Sequence, residues 1–330
     1  MGLDRIRLTD FRNHRDTRLD DTARFNLLVG ENGAGKTNVL EALSLLAPGR
    51  GLRRAALPDI AAHDGTASFA VSADLAGGVQ LGTGVRPERP ARRVVQVNGA
   101  DAPAVRLGEW LSLAWLTPAM DRLFMDGASA RRRFLDRLVL AIEPGHARHA
   151  AKLEAALRER GRLLAEPTEA DPQWLTALER LPEAPFARPA LEYRPGGPLD
   201  PAELTAALAT SRRRDRAAQR TLVGPHRDEL LVTMAGKDQP AADCSTGEQK
   251  AMLIAITLAH AGLLSPDRPG VLLLDEVAAH LDPVRRGALF ERLRAGTAQV
   301  WLTGTELAPF EAITGEAAVW RVNEGLAERL

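Results

Sequence analysis

Residues 30–37, Gly-Glu-Asn-Gly-Ala-Gly-Lys-Thr, limit what this chain can fold into more than any other stretch. They satisfy the phosphate-loop pattern G-x-x-x-x-G-K-[ST] at every fixed position. The flanks agree with it. Phe25-Asn26-Leu27-Leu28-Val29 predicts a buried strand, and Asn38–Leu46 predicts a helix closed by Pro48-Gly49. Gly30, Gly33 and Gly35 permit backbone conformations that a Cβ resists. The loop Gly30, Glu31, Asn32, Gly33, Ala34, Gly35, with Asn38 behind it, then turns N–H groups and a helix N-terminus toward phosphate oxygens. Lys36 is expected to reach the β- and γ-phosphates, and the Thr37 hydroxyl to hold Mg²⁺.

A phosphate loop requires partners elsewhere in the chain. Val271-Leu272-Leu273-Leu274-Asp275-Glu276 places two carboxylates at the end of an apolar run. Such a run predicts a strand buried on both faces, whose carboxyl end is where ligands bind. Asp275 is the expected second metal residue, and Glu276 the group that orients or deprotonates an attacking water. Ser245-Thr246-Gly247-Glu248 opens a long apolar helix. Ser245 and Glu248 read as a capping box, whereas Gly247 is a poor helix residue that permits close approach of a phosphate. Asp282 has two readings, as the cap of a helix opening at Pro283 and as a bridge between subunits at a nucleotide. His280 reads as a loop residue.

Composition narrows the partners. The 330 residues hold 43 basic and 43 acidic side chains, so no global basic field draws the chain to polyanions, and any such site is a local patch. Only four of the basic residues are lysines, at 36, 152, 237 and 250. The single cysteine, Cys244, fits a reducing compartment. No apolar run is long enough for a membrane span, and the first residues lack a signal-peptide core. Aromatic residues are 4%, leaving little for base stacking.

Chain order predicts an α/β fold. Residues 1–118 carry an edge strand at 2–9, a second near Thr17–Leu19, the phosphate loop, and an antiparallel meander at 67–75, 79–86 and 92–98 turned by Gly77-Gly78 and Asn98-Gly99. A strand at Leu113–Leu116 follows. Residues 119–220 switch to a helical period, with helices over 129–142, 146–165, 171–181 and 201–220 and a loop over 182–198. Residues 221–330 return to α/β: strands at 229–233, 271–274, 300–303 and 319–322, helices at 246–264 and 283–293. Candidate nucleic-acid patches are Arg50/Arg53/Arg54, Arg131/Arg132/Arg133 and Arg212/Arg213/Arg214/Arg216.

These four motifs stand in the order of the ABC-type ATPases. The opening Leu8-Thr9-Asp10-Phe11-Arg12-Asn13 resembles their SMC-like branch. With Arg131–Asp136, Gly224–Leu230 and Ser245–Lys250, the chain resembles the RecF family of bacterial recombination mediators over nearly its whole length. The resemblance implies an SMC-like ATPase head with an antiparallel β subdomain and an inserted helical lobe. It also implies a homodimer when ATP is bound, each ATP lying between the Lys36 loop of one copy and Ser245, Gly247 and Gln249 of the other. Slow hydrolysis through Glu276 would reopen a clamp on double-stranded DNA or duplex–single-strand junctions. Loading of recombinase with RecO and RecR in repair and fork maintenance, in the cytoplasm at the nucleoid, follows from the same resemblance. Two departures stand out. Transport-type relatives place a histidine where this chain has Leu302-Thr303-Gly304-Thr305, and Thr117–Met120 lacks a glutamine. Rival readings are a transport-type ATPase subunit and a non-enzymatic dimer joined by nucleotide. The 239 positions between Lys36 and Asp275 are long for the first, and Glu276 argues against the second.

Overall fold

The computed structural model describes residues 2–62, 67–143, 187–218, 220–264, 268–278 and 281–330. The expected helices at 146–165 and 171–181, and His280, lie outside the described residues. The chain divides into two compact units: Met1–Pro118, Ala141–Pro144 and Ala261–Leu330 form one, Ala119–Leu140 and Gly145–His260 the other. Residues 221–260, with the Ser245–Glu248 motif, fall in the second.

The first unit is built on two six-stranded sheets. One holds β1 (Leu3–Phe11), β2 (His14–Leu19), β4 (Phe69–Leu75), β5 (Gln80–Arg86), β6 (Arg89–Val97) and β7 (Ala100–Asp101), in the antiparallel order β2-β1-β4-β5-β6-β7. Alternation along β4 buries every second side chain, β1 buries Leu3, Ile6, Leu8 and Phe11, and Phe11 meets Phe69 edge-on at 5.4 Å. The other sheet holds β3 (Phe25–Val29), β8 (Ser112–Leu116), β12 (Gly270–Leu274), β13 (Gln299–Gly304), β14 (Ala317–Asn323) and β15 (Leu326–Arg329), in the order β15-β14-β3-β13-β12-β8. All its pairings are parallel except β14 with β15. Strands β3, β8 and β13 are buried throughout, and β12 from Val271 onward, which is why they read as continuous apolar runs. Trp301 and Trp320 stack at 5.6 Å, contributing about 0.5–1.5 kcal/mol beyond their buried area.

The helix Lys36–Ser44 follows β3. Beyond its end, the half-buried Arg93 of β6 donates to the carbonyls of Leu45, Ala47 (3.2 Å) and Gly49 (2.6 Å), and to Thr83 Oγ1 (2.8 Å). A cation on C-terminal carbonyls satisfies acceptors that the helix leaves open. Burial lowers the Arg93 pKa to about 10.

The second unit contains β9 (Pro189–Arg194), β10 (Glu229–Met234) and β11 (Gln239–Pro240), ordered β11-β10-β9 and antiparallel. Strand β9 corrects the loop expected over 182–198. Pro189 starts it, where a missing N–H is tolerated, and the residues after it alternate. The helix Thr246–Ala261 ends three residues earlier than expected, and β14 is followed by β15 through a Glu324-Gly325 turn with both φ positive.

His260, fully buried near the end of that helix, donates from Nε2 to the Leu138 carbonyl at 2.7 Å, while Nδ1 has no hydrogen-bond partner. Burial lowers its pKa to about 4, against 6.5 in an exposed chain. Between those values the unfolded chain takes up the proton and the folded one does not. Stability is therefore full above pH 6.5 and declines as pH falls toward 4. The loss reaches about 3 kcal/mol on the scale of 1.4 kcal/mol per pKa unit. Urea unfolding at pH 7 and pH 4.5 will show this decline in wild type and a flatter one in His260→Gln.

Candidate active site

Because β3, β13 and β12 lie side by side and parallel, their carboxyl ends share one edge of the sheet. The phosphate loop leaves β3 there, Asp275 and Glu276 leave β12, and Thr303 lies one residue before the end of β13. The Gly30 N–H is tied to the Gly304 carbonyl at 3.2 Å. Gly33 (φ 84°) and Gly35 (φ 116°) adopt the left-handed backbone expected of the loop. Lys36 is buried, and its Nζ donates to the carbonyls of Gly30 (2.7 Å) and Glu31 (2.8 Å). Burial lowers its pKa, against the opposing pull of Glu276 and Asp275.

Thr37 Oγ1 donates to the Asp275 carboxylate at 2.9 and 3.2 Å. This pair fits Mg²⁺. A hydroxyl and a carboxylate are hard oxygen donors, and Mg²⁺ takes one or two such groups with phosphate and water oxygens. Among the described residues no group of three or more His, Cys, Asp or Glu could form an all-protein cage. Burial raises the Asp275 pKa, while hydrogen bonds from Thr303 and Thr37 pull it back. A bound cation would favour the charged form further.

The sequence reading left Thr303 unassigned, and the structure gives it a double task. Its buried Oγ1 donates to Asp275 Oδ1 at 2.8 Å and accepts the Glu276 N–H at 2.9 Å. One hydroxyl thereby fixes both acidic residues. Glu276 itself has φ 54°, a conformation that costs a residue with a Cβ and that marks functional positions.

In the second unit the capping box is present. Ser245 N–H donates to Glu248 Oε2 at 2.9 Å, and Glu248 N–H to Ser245 Oγ at 3.4 Å. Ser245 Oγ also donates to Glu248 Oε2 at 2.9 Å. Lys237, from the turn after β10, pairs with Glu248, and this ion pair with the Ser245 bonds holds the Glu248 pKa down to about 2. Gly247 is exposed on the first turn. Gln249 turns inward, donating to the carbonyls of Cys244 (2.9 Å) and Ala242 (3.3 Å), and so holds the loop ahead of the helix. Asp282 caps Pro283–Ala295, accepting the Arg285 N–H at 2.9 Å. Lysine scarcity could have flagged Lys237: it pairs with Glu248, and Lys250, bound to Asp121 at 3.2 Å, lies on the same helix, Thr246–Ala261.

The arginine patches differ in how far they are committed. Arg131 makes a two-pronged pair with Glu229 (2.7 and 3.1 Å), and Arg132 donates to the Asp228 carbonyl (2.8 Å). Both are internal supports. Arg53 donates to Asn38 and to the buried Glu41, which Arg12 also grips at 2.9 and 3.0 Å. Arg212, Arg213 and Arg214 are exposed. A further group escaped the sequence reading: Arg86, Arg89 and Arg92 line a cavity of about 440 Å³ with Glu88, Arg93 and Asp101. Arg86 and Arg89 sit directly opposite on β5 and β6, a like-charge pairing that Asp101, 3.6 Å from Arg86, offsets in part.

Fold and site together define a phosphate-loop ATPase head of the SMC-like kind. The family model described as the RecF/RecN/SMC N terminal domain matches residues 2–323. Curated relatives called DNA replication and repair protein RecF are 43% identical in Rhizobium leguminosarum bv. trifolii, over 98% of both chains, and 44% identical in Mesorhizobium japonicum, over 98% of this chain and 96% of that one. This chain belongs to the RecF family. Among solved structures, the recombination mediator protein RecF-ATPrS in the RecFOR pathway superposes with TM-score 0.84 at 21% identity, covering 99% of this chain and 98% of that one. An SMC head bound to the C-winged helix domain of ScpA superposes with TM-score 0.56 at 16% identity, covering 100% and 98%. These two likenesses bear on the fold.

Proposed function

We propose that the chain is an ATP-hydrolysing, DNA-binding protein of recombinational repair and replication-fork maintenance. The observation that carries the reading is the meeting of Thr37, Asp275, Thr303 and Glu276 at one sheet edge beside the phosphate loop. Lys36 and the loop N–H groups bind the phosphates of ATP. Thr37 and Asp275 would hold Mg²⁺, which when bound would supply positive charge against the phosphates. Glu276 accepts a proton from the attacking water.

ATP joins two copies. Ser245 and Gly247 of one copy meet the triphosphate held by Lys36 of the other, with Asp282 near the junction. The dimer clamps duplex DNA at gaps or junctions, and hydrolysis reopens it. Action with RecO and RecR in recombinase loading, at the nucleoid in the cytoplasm, is part of this reading; its support is the replication-and-repair name the relatives carry and the RecFOR pathway to which the RecF-ATPrS structure is ascribed. Among the described residues no helix is long and apolar enough to cross a membrane. Sizing with and without ATP and DNA tests the clamp: dimers are expected with ATP, and a monomer under every condition overturns it.

The cavity arginines Arg86, Arg89 and Arg92 are the proposed phosphate contacts on DNA, since Arg131 and Arg132 are internally committed. Few aromatics leave backbone contact rather than base reading. Replacing all three with glutamine should lower the slope of log affinity against log salt by about 2 to 3. Titration of a labelled duplex at several salt concentrations reads it. An unchanged slope would place the DNA elsewhere.

A further inference from the structure

A line of side-chain amides runs behind the phosphate loop. Arg53 Nη1 donates to Asn38 Oδ1 at 2.6 Å, Asn38 Nδ2 donates to Asn13 Oδ1 at 2.7 Å, and Asn13 Nδ2 donates to the Ala34 carbonyl at 3.0 Å. An asparagine amide can sit either way round. Here both ends fix the sense, because a guanidinium only donates and a carbonyl only accepts. Flipping either amide sets donor against donor or acceptor against acceptor. Aligned donors of this kind polarise one another.

The relay ends where it affects phosphate binding. The Ala34 carbonyl also accepts the Gly325 N–H at 3.0 Å, so two turns from outside the loop hold one oxygen. Those turns meet backbone to backbone: a Cβ on Gly325 would lie 2.0 Å from the Asn13 carbonyl oxygen. The next carbonyl, of Gly35, contacts His14 Nε2 at 3.0 Å. In a planar trans peptide, C=O and N–H point in opposite directions. Drawing the Ala34 oxygen outward turns the Gly35 N–H inward, toward the side where an anion is cradled.

We propose that Asn13, oriented by Asn38 and Arg53, is a positioning residue for the nucleotide, setting the Ala34–Gly35 peptide so that the Gly35 N–H meets a phosphate. This rests on the ATP-site reading above and is independent of DNA. Asn13 lies outside the phosphate-loop pattern, and Arg53 brings a loop rich in arginine to the same line.

The test measures equilibrium binding of fluorescent ADP to full-length Asn13→Ala, Asn13→Asp, Asn38→Ala and the Asn13→Ala/Asn38→Ala pair. Asn13→Ala should weaken ADP about tenfold, the usual worth of one such bond. The urea midpoint without nucleotide should barely move, because Asn13 is exposed. Asn13→Asp should bind more weakly still, since a carboxylate cannot donate to Ala34. The Gly35 amide ¹H shift on ADP addition should shrink in both variants. The pair should lose no more than Asn13→Ala alone, as residues in series do. Unchanged affinity in both Asn13 variants, or additive losses in the pair, would overturn the relay. Failure of wild type to bind ADP would instead remove the nucleotide reading beneath it.

Discussion

Glu276→Gln should reduce single-turnover ATP hydrolysis by about 10²- to 10⁴-fold, the span a general base contributes. The substitution keeps size and hydrogen-bonding reach but removes the proton acceptor. Backbone demands are unchanged: Glu276 stays at φ 54° with its N–H on Thr303, and glutamine meets the same steric cost. ATP binding should survive, because Lys36, Thr37 and Asp275 are untouched. The ATP-bound dimer should then persist on a sizing column long after the wild type has fallen apart. Rates equal to wild type would favour nucleotide as a mere joint between subunits.

Thr303→Val carries the second large effect. Valine matches threonine in shape but neither donates nor accepts. The Glu276 N–H would lose its acceptor and Asp275 a donor, both near the sheet core. An unsatisfied buried group costs about 1–3 kcal/mol. The Asp275 pKa, already raised by burial, rises further on losing the stronger of the two hydrogen bonds that pull it down. Without that bond the Asp275 carboxylate is free to turn away from Thr37, so the Mg²⁺ needed for half-maximal hydrolysis should rise about tenfold, the usual worth of one hydrogen bond to a charged group. Thr303→Ser, which keeps the hydroxyl, should restore the wild-type Mg²⁺ curve. Equal Mg²⁺ curves for Thr303→Val and wild type would show that the hydroxyl does not set the acidic pair.

What the residues disclosed in advance depended on distance along the chain. The phosphate loop, the strand at Phe25–Val29 and the acidic strand end are local patterns, and the structure has them within a residue or two. Strand β9 was hidden because prolines on both sides of a short alternating stretch read as loop. Thr303 escaped because its task depends on the register of β13 against β12, which no local window contains. Arg131 read as a nucleic-acid patch because its partner Glu229 lies 98 positions away. Lys237 escaped for the converse reason: its hairpin has no motif of its own, and only the fold brings it to Glu248.

The central strand of the larger sheet has a biosynthetic consequence. Phe25–Val29 is wholly buried, and its neighbours on either side are residues 300–304 and 317–321. As the chain leaves the ribosome, this apolar segment emerges before residues 30–299 and waits for all of them before either edge is covered. Premature stops or late frameshifts should therefore yield insoluble polypeptide rather than a working fragment. A nascent chain of this design depends on protection until residues 300–304 and 317–321 have been made.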